Sequence, residues 1–574
     1  MNLAAIRHRS TGSDCYALDC DTVVLNLWTD YSVKAVSVVS EDPFIHELHR
    51  QRVWEGKPTP MRRLYELAHQ VVWTAELKPA YKRLQYYFTV EGEDGCLGVF
   101  ENKICPMEER DRISTEYFKF PWINPSDVIA PPRWVRDTVW YQIMPDRFAR
   151  GSGAPPDPRF RRWGDFSHPH FGDLYGGDLR GIRERLPYLK QLGVSGIYLT
   201  PIFLSNSNHK YNTFDYYKVD PDFGTEQELR ELVQAAHGLD MKIMLDAVFN
   251  HCGTEFFAWK DVCERGRGSA YFDWFFINRD DFVKDDFSVA DGRFYTFSFW
   301  AGMPKLNTNN PEVQQYFTDL CVHWVGELDI DGIRFDVGDE IAHSFLRRVN
   351  AAVKAVKPET FLLGEIWFDS IGWLGGSEYD SVMNYPFTGG VGDFWRDREM
   401  TARDFMHRLN FCRSLYPRQI NEAIFSFLDT HDTARVRESC RNQNEMLQKL
   451  AILLTMAGSP CLYYGTEIAM KGAHTPYNRS TMPWDEIDAG KYDRFKRKVS
   501  ALVHVRGEQP DLRRDEMTFF FDESHPRLVG YRKGAVTVVL NAGDTPVPIA
   551  AEQELFSNGY KNGILQPDGV LLFK

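Results

Sequence analysis

Four carboxylates, two histidines and an arginine lie at the ends of short apolar runs. Asp246 and His251 close "KIMLDAVFNH", Arg334 and Asp336 close "DGIRFDV", Glu365 closes "FLLGEI", and His431 and Asp432 close "FSFLDTHD". A single acid in such a place is often a helix cap or a loop ion pair. Several acids gathered in one place resist that reading, because like charges brought together cost stability. Side chains alternate along a strand, so Arg334 and Asp336 share one face while Ile333, Phe335 and Val337 share the other. An aspartate beside a guanidinium is expected to have a lowered pKa and to stay ionised, which suits a nucleophile. Glu365, next to Ile366 and Trp367 and near a negative Asp336, is placed to keep a proton, which suits a general acid. Two carboxyls with divided roles are what retaining glycoside hydrolysis requires. One attacks the anomeric carbon; the other protonates the leaving oxygen and then activates the incoming water. Asp432 is a third acid, able to bond sugar hydroxyls and to stabilise positive charge.

These residues need a scaffold that brings strand ends together. Eight strand-length apolar runs recur between "TVWYQIM" and "SPCLYYGTE", with helical patterns such as "EQELRELVQAAHGLD", "PEVQQYFTDLCVHWVGEL" and "AHSFLRRVNAAVKAV" between most of them. Continuously apolar strands alternating with helices imply a parallel sheet covered on both faces. Eight units imply a (β/α)8 barrel over residues 126–502, whose C-terminal strand ends converge on one cleft. A long insertion follows "DAVFNH", the third strand, and forms an inserted domain over about 252–305. Residues 1–125 carry short β-rich runs such as "DTVVLNLWTD" and "LQYYFTVEGEDG", which predict a small antiparallel sandwich. The four prolines of "FPWINPSDVIAPPRWV" mark the linker after it. From residue 503 to 574, runs such as "RLVGYRKGAVTVVLNAG" predict a C-terminal β-sandwich.

Composition narrows the partners. A net charge of −13 argues against nucleic acid or an anionic membrane surface. No run reaches the roughly 18 apolar residues of a spanning helix. The start, "MNLAAIRHRSTGSD", lacks the apolar core of a secretory signal. Ten scattered cysteines without a CxxC pair support neither a zinc site nor a redox motif, and imply reduced thiols in the cytoplasm. Aromatic residues make up 14% of the chain, enough to stack on sugar rings as well as to fill a core.

In order along the chain, "DAVFNH", "GIRFDVGDE", "GEIW" and "FLDTHD" resemble the four signature segments of the α-amylase superfamily, glycoside hydrolase family thirteen. "MPKLNTNNPEV", "SNHKYNTFDYYKVDPDFGT" and "VMNYPF" are similar to segments of its neopullulanase, cyclomaltodextrinase and maltogenic amylase subgroup. The resemblance covers most of the chain. It implies Asp336 as nucleophile, Glu365 as acid/base and Asp432 as transition-state stabiliser. Arg334 would hold Asp336, His251 and His431 would bond hydroxyls of the sugar being cleaved, and Tyr211 would stack on its ring. Glu340, Trp367 and Arg479 would complete the substrate-binding set, while Asp246 and Asn250 would shape the site. The implied partners are α-glucan oligosaccharides or cyclodextrins. The implied assembly is a homodimer formed through an N-terminal domain of carbohydrate-binding type.

The chain departs from the subgroup pattern at Asp339, where asparagine is usual, at Phe368 for histidine, at Asn212 for aspartate, and at Thr475 for aspartate in the loop that keeps Arg479. The loop after the first strand, "RFARGSGAPPDP", lacks the Asn- and Asp-rich pattern of a calcium loop, so neither a metal nor another cofactor is expected. Two alternatives stay open. One is an α-glucosidase, an α-1,6-specific enzyme or a glucan transferase built on the same acids. The other is a non-catalytic binding or scaffold relative, which should lack some of the three acids.

Overall fold

The eight apolar runs become eight parallel strands: β1 Trp140–Ile143, β2 Gly196–Leu199, β3 Lys242–Ala247, β4 Gly332–Phe335, β5 Phe361–Gly364, β6 Ser381–Val382, β7 Phe425–Ser426 and β8 Ser459–Tyr463. Their order is β6-β5-β4-β3-β2-β1-β8-β7, and a parallel bridge from Met383 to Phe425 joins the two edges into a ring. This computed structural model describes residues 1–50, 54–93, 95–112, 114–153, 157–283 and 289–574.

The barrel interior is layered as strand alternation requires. A lower layer buries Trp140, Tyr198, Met244, Phe361, Leu363, Met383 and Phe425. Two residues further along their strands, Gln142, Asp246 and Arg334 occupy the same inward face, with Asp246 and Arg334 paired in register. The core therefore turns from apolar to polar toward the C-terminal strand ends.

The helices begin where the sequence provides caps. Thr225 and Glu228 form a capping box at the start of Glu226–His237, and the Asn310 side chain caps Pro311–Gly326, which has proline at its first position. In the insertion, a helix at Phe257–Arg265 was not expected. Its core contacts come from Ala258, Trp259 and Val262 on one short face, too few positions to stand out as a period.

The chain forms two compact units, Met1–Pro131 with Asp369–Gly376 and Asp397–Asn421, and the remainder. In the first, two antiparallel sheets share one core that includes Leu25, Leu27 and Trp73 from one sheet and Val36, Val38 and Phe88 from the other. This is the expected sandwich. The helix Ala402–Ser414 packs on it, with Asn410 Nδ2 donating to the Glu66 carbonyl at 3.0 Å.

In the second unit, the C-terminal sequence differs from expectation in two ways. The helix Asp493–Glu508 runs through the boundary expected at 502/503, and the β-domain starts at Thr518. The domain is also a single six-stranded antiparallel sheet rather than two sheets. Its long last strand, Ile564–Phe573, pairs on both sides, and the sheet encloses Leu528, Val539, Leu565 and Leu571.

Candidate active site

Arg334, fully buried, is the hub of the strand-end cluster. Its Nη1 donates to both Asp246 oxygens at 2.8 and 2.9 Å and to Asp336 Oδ1 at 2.8 Å. Its Nη2 stands 2.8 Å from Glu365 Oε2. One guanidinium thus faces three carboxyls. Asp246 also accepts from the hydroxyls of Tyr198 at 2.6 Å and Tyr211 at 2.8 Å, so its role is to hold the site together.

The expected lowering of Asp336 does not occur. Burial raises it well above the usual carboxylate range; Arg334 opposes, but Glu365, Asp246 and Asp432 add to the rise. Asp246 is raised as well, by burial. Arg334 is adjacent to Asp336 as strand alternation requires, but the number of acids sharing it is not legible within one strand.

Glu365 is placed by backbone as much as by side chains. Val337 has φ +46° and ψ +50°, the left-handed region, in which a β-branched residue is strained by about 1–3 kcal/mol. That turn aims the Val337 N–H at Glu365 Oε2, 3.0 Å away. Next to it, a Cβ on Gly338 would lie 3.2 Å from the Glu365 backbone and 2.8 Å from the Tyr379 hydroxyl, so only glycine fits without displacement. Tyr385 OH and Trp367 Nε1 both donate to Glu365 Oε1 at 3.2 Å. Trp367 lies flat on Tyr385, with ring centroids 3.9 Å apart, and is 54% exposed.

Asp432 faces the group from the segment after β7. Arg479 Nη2 donates to its Oδ1 and His431 Nε2 stands at its Oδ2, both at 3.1 Å. Tyr211 stacks parallel to His431 with centroids 5.3 Å apart, and its hydroxyl lies 2.7 Å from His431 Nε2. The loop carrying Tyr211 is pinned by the buried pair of Lys210 and Asp220 at 2.8 Å.

His251 is held by protein groups on both ring nitrogens. It is buried, Nε2 donates to the Tyr211 carbonyl at 3.1 Å, and Nδ1 accepts from the Asn250 amide at 3.3 Å. Burial pushes its pKa down to about 3, so it is neutral and supports the Tyr211 loop. Glu340 lies at the rim, paired with Lys305 at 2.8 Å.

The sequence matches the family described as "Alpha amylase, catalytic domain" over residues 142–518, and "Alpha amylase, N-terminal ig-like domain" over residues 1–124. The chain belongs to the α-amylase family. It is a glycoside hydrolase. It is 40% identical over 568 residues to a cyclomaltodextrinase of Geobacillus thermopakistaniensis (strain MAS1), covering 97% of this chain and 95% of that one. It is also 40% identical over 489 residues to an intracellular maltogenic amylase of Bacillus subtilis (strain 168), covering 85% of this chain and 81% of that one. A solved cyclomaltodextrinase structure superposes with a TM-score of 0.88 at 32% identity, each chain covered fully.

Against this family background, two site residues went unread in the sequence. Tyr385 lies within "VMNYPF", and Gln142 within β1. The signal was present in both: a hydroxyl and an amide inside apolar runs must find partners when buried. Of the departures, Asn212 accepts from Ser205 Oγ at 2.7 Å and donates to Asn206, closing the Tyr211 loop internally. Burial, with Glu340 and Glu365 nearby, raises Asp339.

The calcium implied by the family does not fit the loop after β1. Among the described residues (Ala154–Pro156 lie outside them), the Asp146 and Asp173 carboxylates and two carbonyls already accept hydrogen bonds. Arg150 donates to the carbonyls of Tyr175 at 2.6 Å and Arg161 at 2.8 Å. Asp146 accepts from Arg147 Nε and the N–H groups of Tyr175 and Gly176, and Asp173 accepts from Arg161 and the His170 N–H. Guanidinium groups supply the positive charge that such a loop needs.

Proposed function

We propose that this glycoside hydrolase cleaves α-1,4-glucosidic bonds of cyclodextrins and short maltodextrins, with pullulan as a further substrate, by double displacement with retention. The observation that carries this reading is Arg334 spanning Asp336 and Glu365 from one guanidinium, with Asp432 facing them. Asp336 attacks the anomeric carbon while Glu365 gives its proton to the leaving oxygen. Formation of the glycosyl ester removes the charge of Asp336, and Glu365 then takes a proton from the attacking water. Asp432, backed by Arg479 and His431, bonds the sugar hydroxyls; Tyr211 and the exposed face of Trp367 stack on sugar rings.

Two further readings belong to the same proposal. The protein acts in the cytoplasm, in keeping with a relative named intracellular and with ten free thiols. Among the described residues, no helix is long and apolar enough to cross a membrane. The N-terminal sandwich forms a homodimer through exposed Phe44, Leu48, Tyr81 and Trp122, where the Arg83 guanidinium lies 4.8 Å from the Phe44 ring centroid. Light scattering on the purified protein tests the dimer.

A panel of γ-cyclodextrin, maltotriose, panose and pullulan, with product anomers followed in time, tests the activity. α-Anomers first are expected. Cleavage of sucrose or isomaltose alone, or β-anomers first, would overturn the reading.

A further inference from the structure

Gln142 projects from β1 into the polar layer of the barrel and is 1% exposed. Its Nε2 lies 2.9 Å from His431 Nδ1. The other imidazole nitrogen faces acceptors. His431 Nε2 stands 3.1 Å from Asp432 Oδ2. It also stands 2.7 Å from the Tyr211 hydroxyl, whose single hydrogen goes to Asp246 Oδ2 at 2.8 Å. The Tyr211 contact therefore requires a hydrogen on Nε2.

The ring carries only one proton. Burial, with Arg479 and Arg334 adding to it, holds His431 well below its ordinary pKa. The hydrogen on Nε2 leaves Nδ1 bare, and a bare buried nitrogen needs a donor. The Gln142 amide is that donor. The groups facing His431 are Gln142 from β1, Tyr211 and His209 from the loop after β2, Arg334 from β4, Glu365 from β5, Asp432 beside it and Arg479 from the loop after β8.

We propose that Gln142 is a positioning residue that fixes the tautomer of His431, so that Nε2 always presents a hydrogen to Asp432 and to the sugar hydroxyl bound between them. The partner of one ring nitrogen decides what the other can do. A carboxylate at 142 would draw a hydrogen onto Nδ1 and turn His431 into a charged double donor. An apolar side chain would leave the tautomer unfixed. This proposal rests on the hydrolase reading for its catalytic consequence, though not for the tautomer itself.

The test uses the full-length protein with 15N-labelled histidine, the His431 signals being assigned by their loss in H431N. In the wild type, Nε2 is expected to be protonated and Nδ1 bare from pH 5 to 8. Q142L should populate both tautomers and lower kcat on γ-cyclodextrin about tenfold, with KM changed less. Q142E should protonate Nδ1 as well and add an ionisation to the pH profile of kcat/KM that the wild type lacks. A wild-type spectrum with hydrogen on Nδ1 would overturn the proposal. So would Q142L with an unchanged spectrum and kcat within about twofold of wild type. If Q142L fails to fold, the Q142E and wild-type spectra decide. The spectra need no turnover, so a protein inactive on every glucan would remove the hydrolase reading without touching the tautomer assignment.

Discussion

Strand β4 has a buried aspartate at each end, and the two are charged under opposite conditions. Asp331, just before the strand, faces His237 Nε2 at 2.7 Å, Lys242 Nζ at 3.1 Å and Lys357 Nζ at 3.2 Å, and accepts from the Ile243 N–H. Burial works to raise it, but His237, the Ile243 N–H and Lys357 prevail and hold it far below the usual carboxylate range. Asp336, just after the strand, shares one guanidinium with two other carboxyls, and burial raises it. At one end of the barrel two lysines and a histidine face Asp331, with Asp329 sharing Lys357; at the other three carboxyls share one guanidinium. The first arrangement stabilises the fold, and the second costs stability that only chemistry explains.

Exchanging each aspartate for its amide should break this symmetry in opposite ways. Asp336→Asn is expected to lower kcat about 10^4-fold while leaving the fold intact, and to raise Tm by about 1–3 °C by removing a disfavoured buried charge. Asp331→Asn is expected to leave kcat unchanged and to cost about 2 kcal/mol of stability, because it leaves cations without their acid. Activity on γ-cyclodextrin and thermal unfolding measured together decide the matter. An active Asp336→Asn would remove Asp336 as nucleophile.

Titration sharpens the comparison. Unfolded, both aspartates ionise near pH 3.9. Folding lowers Asp331, so its contribution is present above that pH and fades as pH falls toward its folded value. Folding raises Asp336, so nothing is lost below about pH 4, and stability declines as pH rises through its folded value. The Tm advantage of Asp336→Asn should therefore grow from pH 4 to pH 8, while the deficit of Asp331→Asn shrinks below pH 4. Parallel pH curves for the two variants would sink this account.

The same contrast explains what the sequence disclosed. The eight strands were legible because parallel strands buried on both faces are apolar throughout, and their ends named Asp336, Glu365 and Asp432. Strand period put Arg334 beside Asp336. The charge state of Asp336 was not legible, because it depends on Asp246 and Glu365 arriving from β3 and β5. Nor was the engagement of His251, whose partner is a backbone carbonyl 40 residues away. The C-terminal boundary was missed because Asp493–Glu508 has apolar residues at both helix-like and strand-like spacings near Leu502 and Val503.

A smaller effect is expected at Tyr385. Burial, then Glu365, holds its hydroxyl well above the ordinary value, so it stays a donor to Glu365 Oε1 at every working pH. Tyr385→Phe removes one hydrogen bond of about 1 kcal/mol, and kcat/KM should fall about fivefold with Tm nearly unchanged. A loss as large as that of Asp336→Asn would mean that Tyr385 itself takes part in the reaction.

The smallest expected effect adds a third region to the comparison. In the loop after β1, the acids Asp146 and Asp173 are matched by Arg147 and Arg161, and Arg150 holds two carbonyls. Each acid there has its own guanidinium, whereas Asp336 shares one with two other carboxyls. Removal of divalent cations by EDTA should therefore shift Tm by less than about 1 °C and leave kcat unchanged, because no folded-state ligand is withdrawn. Added calcium should have equally little effect. A clear fall in Tm with chelator, reversed by calcium, would show that an external cation completes this loop and that its guanidinium groups do not suffice.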